Sequence, residues 1–270
     1  MYLVSLSTAV VALASLAAGA KNQLKQETAF NAGPTAAKMH IYLPSNKLAL
    51  APIIVAIHYC TGTGPAYFSG SKYADLADQK GFIVIYPSSP SSGGCWDVAS
   101  TTSLTHEKGG DSKTIVNMVA HAVKNYGGDA ANVFVTGSSS GAMMSNVLAG
   151  AYPNIFKAAS VYSGVPDGCF FVSGAQAGQA TPGWNNECAN GSWHGTSDNT
   201  LAYPNYAETM KQWSNVMNLA LTKTNTNTPQ SGYTQSVYGD GTRLVGYSAQ
   251  GVGHTVPLHE SVDLAWFGIA

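Results

Sequence analysis

Five small residues, Gly137-Ser138-Ser139-Ser140-Gly141, separate an apolar β-branched segment, Asn132 to Thr136, from a helical one, Ala142 to Gly150. Strand, G-x-S-x-G and helix in that order constrain the backbone strongly. The chain must turn from strand to helix at one residue, which forces that residue into a strained conformation. Neighbouring segments close in on such a turn, so bulky side chains on either side of it are excluded. The expected result is an elbow that lifts Ser139 clear of a sheet, with its backbone at a helix N-terminus. That geometry suits a nucleophilic serine.

The rest of the chain repeats the strand–helix alternation. Met39 to Leu43 reads as a strand. Pro52 to Ile57 and Phe82 to Tyr86 are continuous β-branched runs, as expected for strands covered on both faces. Between them, Tyr67 to Lys80 reads as one helix stopped by Gly81. Asp111 or Ser112 is expected to cap the next helix, with Ile115, Val119, Val123 and Tyr126 on one stripe and Gly127-Gly128 as its stop. A strand is expected over Ala158 to Tyr162. A helix follows over Pro204 to Leu221, with Tyr206, Met210, Trp213 and Met217 on one side. Arg243 to Tyr247 reads as a strand and Ser261 to Phe267 as a closing helix. Buried strands alternating with helices predict a doubly wound, mostly parallel sheet with helices on both faces. No linker-like segment divides the 270 residues, so one domain is expected.

The N-terminus reads as an address. Tyr2 to Ala20 is apolar or small throughout and ends in Ala18-Gly19-Ala20, a signal-peptide cleavage pattern. Residues 1–20 are therefore expected to be a secretory leader and 21–270 the mature domain. No later segment is long enough to span a bilayer. Four cysteines fit an oxidising compartment, and their spacings do not resemble a zinc site. Two disulfides have three possible connectivities; joining the cysteines nearest in sequence gives Cys60–Cys95 and Cys169–Cys188. Asn190-Gly191-Ser192 is a glycosylation sequon. Charged residues make up only 10% of the chain and the net charge is −1. That argues against nucleic acid or an anionic membrane as partner, while a neutral polar surface suits a glycan.

A serine hydroxyl needs a base to take its proton and a carboxylate to orient that base. On a strand–elbow–helix scaffold the chain order is serine, acid, histidine. His254, in Gly251-Val-Gly-His-Thr-Val-Pro257, lies in a glycine-punctuated loop after a strand, where such folds carry catalytic side chains. Asp198, in His194-Gly-Thr-Ser-Asp-Asn-Thr200, is the matching acid. His259 reads as a solvated residue at the start of the last helix, and Asp240 as a turn aspartate. An oxyanion needs two donors. The Ser140 N–H is one, and the Cys60 N–H, in the loop His58 to Gly64 after an early strand, is the other. Tyr59, Trp96, Val165 and Pro166 are candidates for shaping the substrate groove.

His58-Tyr-Cys-Thr-Gly-Thr-Gly64, Tyr86-Pro-Ser-Ser-Pro90, Gly94-Cys-Trp-Asp97, the elbow, Ser163-Gly-Val-Pro166 and Gly253-His-Thr-Val-Pro257 together resemble a fungal acetylxylan esterase of carbohydrate esterase family 1. The resemblance implies an α/β-hydrolase fold, a triad at Ser139, Asp198 and His254, no cofactor and no metal. It further implies acetylated xylan as the partner and an acetyl-enzyme hydrolysed by water. Some members of the family carry a cellulose-binding module; none is expected here, and a monomer is expected. Feruloyl esterases of the same family are the alternative. One departure is expected to matter. Where relatives have a helix and an apolar strand before the acid loop, Cys188-Ala-Asn-Gly-Ser-Trp193 here runs straight into His194. Either a shortened strand forms around Trp193, or the sequence lacks part of the natural protein; the missing segment is expected to misplace Asp198 and to leave activity and stability below those of a full-length relative.

Overall fold

The computed structural model describes residues 23–30, 33–171 and 193–269. The expected leader 1–20, Cys188 and Asn190 lie outside them. In chain order the elements are β1 (Lys25–Glu27), β2 (Lys38–Tyr42), β3 (Ala51–Ile57), α1 (Gly64–Gly70), α2 (Tyr73–Lys80), β4 (Ile83–Ser88), α3 (Thr101–Leu104) and α4 (Gly110–Tyr126). Then come β5 (Gly128–Ser138), α5 (Ser140–Ala151), β6 (Ala158–Tyr162), β7 (Trp193–Gly195), α6 (Pro204–Met217), β8 (Leu221–Thr226), β9 (Tyr233–Tyr238), β10 (Leu244–Ala249) and α7 (Glu260–Phe267).

The strands form one ten-stranded sheet in the order β1-β2-β4-β3-β5-β6-β7-β10-β9-β8. Its centre, β4-β3-β5-β6-β7-β10, is parallel. Both margins, β2 with β1 and β9 with β8, are antiparallel. Alternate residues of β3 face opposite layers. Ile53, Val55 and Ile57 pack with Ile115 and Met118 of α4 and Met144 and Leu148 of α5. Ile54 and Ala56 pack with Tyr73 of α2 and Leu264 and Phe267 of α7. A buried strand can be apolar at every position because each face has its own helical cover. The expected doubly wound architecture is what forms.

Several boundaries differ from expectation. The single helix over 67–80 is two. The first begins early, with Pro65 in its first turn and the Thr63 hydroxyl accepting from the Ala66 N–H at 3.2 Å. It breaks at Ser71, whose backbone is extended. The Lys72 N–H leaves the helical pattern and donates to Glu260 Oε1 at 2.9 Å. Helix α4 is not capped by Asp111 or Ser112. It starts at Gly110, after Gly109 at φ +117°, a conformation that glycine adopts freely. The Asp111 carboxylate accepts instead from the Asp97 N–H, and the Ser112 hydroxyl donates to the Ser103 carbonyl. Helix α6 ends at Met217 because Asn218 takes a left-handed cap at φ +52°.

Strand β7 is the shortened strand around Trp193. It has three residues, pairs with β10 over Trp193–Gly195, and meets β6 at Trp193 opposite Tyr162. Aromatic stacking supplements this short ladder. The Trp193 ring stacks on Tyr247 at 4.0 Å, on Tyr162 at 5.2 Å and on His259 at 5.1 Å. His259 is therefore not the solvated residue expected at the start of α7; its ring is part of this stack.

Candidate active site

The elbow forms at the carboxyl end of β5. Ser139 has φ +53° and ψ −118°, a strained backbone for a residue with a side chain. Its N–H donates to the Tyr162 carbonyl at 2.8 Å. The flanking glycines are required by space. A Cβ on Gly137 would lie 2.5 Å from the Gly141 carbonyl, and one on Gly141 would lie 2.2 Å from the Ile57 carbonyl oxygen. Ser140 opens α5, where its N–H has no partner within the helix.

Asp198 sits in the turn after β7 and His254 in the loop after β10. The two loops are joined by their backbones. The Thr196 N–H donates to the Ala249 carbonyl at 2.9 Å and the Ser197 N–H to the Val252 carbonyl at 3.0 Å. Gly195 allows the approach, since a Cβ there would lie 2.1 Å from the Val252 carbonyl oxygen. In consequence His254 Nδ1 lies 2.8 Å from Asp198 Oδ2, and His254 Nε2 lies 2.9 Å from Ser139 Oγ. The three side chains expected from chain order meet in one hydrogen-bonded line.

The Asp198 carboxylate is buried. Burial works to raise its pKa, but the His254 ring and the N–H groups of Leu201 and Thr200 outweigh it, holding the carboxyl below its usual range. Sequence reasoning missed a further partner. His194, fully buried, places Nε2 3.1 Å from the same Asp198 Oδ2 and 2.7 Å from the Leu201 carbonyl oxygen. Burial lowers its pKa and favours the neutral ring. The four-residue spacing of His194 and Asp198 was the available signal.

Cys60 follows β3 and is bonded to Cys95. The other expected disulfide, Cys169–Cys188, involves a residue outside the described ones. Of the groove candidates, Tyr59 is exposed at 44% and its ring meets Tyr67 edge-on. Trp96 is a correction: only 1% exposed, it is a core residue rather than a groove wall. Its indole N–H donates to the His58 carbonyl at 2.9 Å, and its backbone N–H to Ser140 Oγ at 2.8 Å. Val165 and Pro166 are likewise buried, beside Val98, Met143 and Val147. Asp240 accepts from Thr242 in an exposed turn, as expected. A cavity of about 790 Å³ between β6 and β10 is walled by Phe134, Trp213, Leu244 and Trp266, and none of Ser139, Asp198 and His254 lines it.

The chain can be compared with known proteins on this basis. Residues 37–177 match the esterase PHB depolymerase family. The chain is 48% identical to acetylxylan esterase A of Aspergillus awamori, over 92% of this chain and 90% of that one. It is 47% identical to the probable acetylxylan esterase A of Aspergillus niger, over 96% and 93%. The first match runs over 278 residues, more than this chain's 270, so this chain lacks some that its relative has. The solved acetyl xylan esterase from Aspergillus awamori superposes with a TM-score of 0.85 over 92% of this chain and all of that one. A carboxylesterase from Mesorhizobium loti, 10% identical with a TM-score of 0.53, shares the fold alone. The chain belongs to the esterase PHB depolymerase family, together with the fungal acetylxylan esterases A.

Proposed function

We propose that this protein is a carboxylic ester hydrolase that removes acetyl groups from xylan, with Ser139 as nucleophile, His254 as base and Asp198 as its orienting acid. The observation that carries the reading is the unbroken line from Ser139 Oγ through His254 to Asp198 Oδ2. The substrate class comes from the names of relatives at 46–48% identity.

His254 Nε2 accepts the Ser139 proton as the hydroxyl attacks the acetyl carbonyl. Charge builds on the carbonyl oxygen, where the N–H groups of Cys60 and Ser140 are the proposed donors. The imidazolium, steadied by Asp198, then protonates the departing sugar oxygen. Water repeats the sequence on the acetyl-serine, releasing acetate and restoring Ser139. The contact between Asp198 and His254 argues against a weakened relative. Secretion of the 21–270 region as one domain is part of the proposal, supported by the apolar leader and the Cys60–Cys95 disulfide. So are a monomeric state and a glycan at Asn190.

Ser139→Ala should abolish acetate release from acetylated xylan with the fold intact; retained activity would refute the assignment. Assaying methyl ferulate beside acetylated xylan tests the acyl group, and faster turnover of the ferulate ester would reassign the substrate.

A further inference from the structure

The loop after β3 carries a fully buried histidine, His58, that the chemistry above leaves unused. His58 Nε2 lies 3.1 Å from the Ser89 amide nitrogen. An amide N–H can only donate, so Nε2 is the acceptor and holds no proton. The ring proton is therefore on Nδ1, 2.6 Å from the Tyr59 carbonyl oxygen. Burial lowers the pKa of this ring and keeps it neutral. The Gly62 N–H donates to the same carbonyl at 3.1 Å.

The Tyr59 carbonyl and the Cys60 N–H belong to one peptide unit, which is trans. In a trans unit the two groups point in opposite directions. Two donors that hold the carbonyl inward thus turn the Cys60 N–H outward. Adjacent contacts hold the groups that flank this unit. Trp96 bonds to the His58 carbonyl and to Ser140 Oγ. The Ser89 hydroxyl donates to the Cys95 carbonyl at 2.7 Å, beside the Cys60–Cys95 disulfide.

We infer that His58 is a positioning residue, which aims the Cys60 N–H at the developing oxyanion through its Nδ1–H bond to the Tyr59 carbonyl. The inference rests on the reading of Ser139 as nucleophile and the Cys60 N–H as oxyanion donor. His58→Asn keeps an N–H donor near the place of Nδ1, whereas His58→Leu and His58→Gln do not. With 4-nitrophenyl acetate, the Leu and Gln variants should lose about 10- to 100-fold in kcat with KM within about twofold. His58→Asn should recover most of that loss. Equal kcat in all three variants overturns the inference. In the unsubstituted protein, ¹⁵N-labelled histidine spectra should give His58 as the Nδ1–H tautomer. An Nε2–H tautomer overturns the inference whether or not the variants fold. Ser139→Ala separates the two levels. If that variant stays active, the site reading fails; if it is dead while the His58 variants match wild type, only the role of His58 fails.

Discussion

Asp198 Oδ2 lies 2.8 Å from His254 Nδ1, although the strand that delivers Asp198 is only three residues long. The contact does not depend on strand length. It depends on the backbone bonds from Thr196 and Ser197 to the 249–252 loop and on the close approach at Gly195. The acid and base loops are bonded to each other, so a short β7 still presents its carboxylate to the imidazole.

Asp198→Asn tests that presentation. An amide keeps the shape but cannot hold His254 in the Nδ1–H tautomer or steady the imidazolium. The kcat on 4-nitrophenyl acetate should fall about 10³- to 10⁴-fold while the variant still folds. A loss below tenfold would mean that another group orients His254.

His194→Leu removes a donor shared by Asp198 and the Leu201 carbonyl. Both acceptors are then left short of a partner in a buried site. Urea denaturation should register a loss of about 1–3 kcal/mol, and kcat should fall because Asp198 is freer to turn. Wild-type stability and kcat together would show that His194 does neither job.

Replacing Cys60 and Cys95 together by alanine opens a loop whose ends are 35 residues apart in sequence. The loop-entropy account gives a stability loss of about 3–4 kcal/mol, measurable by urea denaturation under non-reducing conditions. The same variant should lose esterase activity before it loses its fold, since the bridge anchors the loop carrying the Cys60 N–H.

Asp111→Asn yields a pH-dependent gain. Burial raises the Asp111 pKa from 3.8 to about 6. A folded-state pKa above the unfolded one favours the protonated, folded form. That contribution is complete below about pH 4 and is lost as pH rises through about 6. Asparagine still accepts from the Asp97 N–H and never ionises. Relative to wild type, the variant should differ little near pH 4 and be more stable by up to about 3 kcal/mol above pH 6. A difference independent of pH would sink the argument.

What the sequence revealed follows the physics of each element. Strands β3 and β4 were legible because burial on both faces demands continuous apolar runs. The triad was legible because chain order and loop position select among few candidates. Strands β8 and β9 were not. Leu221–Thr226 is Thr-rich and largely exposed, so no apolar alternation marks it. Trp96 and His194 were misjudged or missed because their roles depend on distances across loops. His259 was read from its position at a helix start, but its partners Trp193 and Tyr233 come from other strands.

The brevity of β7 has one more consequence. Successive side chains of a strand point to opposite faces, so a slip of one residue would turn Trp193 away from Tyr162 and Tyr247. It would also carry the following turn about 3.3 Å along the strand, farther than the Asp198–His254 hydrogen bond can stretch. Mispaired molecules would be catalytically silent even if otherwise compact. Specific activity per folded molecule therefore measures how faithfully this sheet assembles.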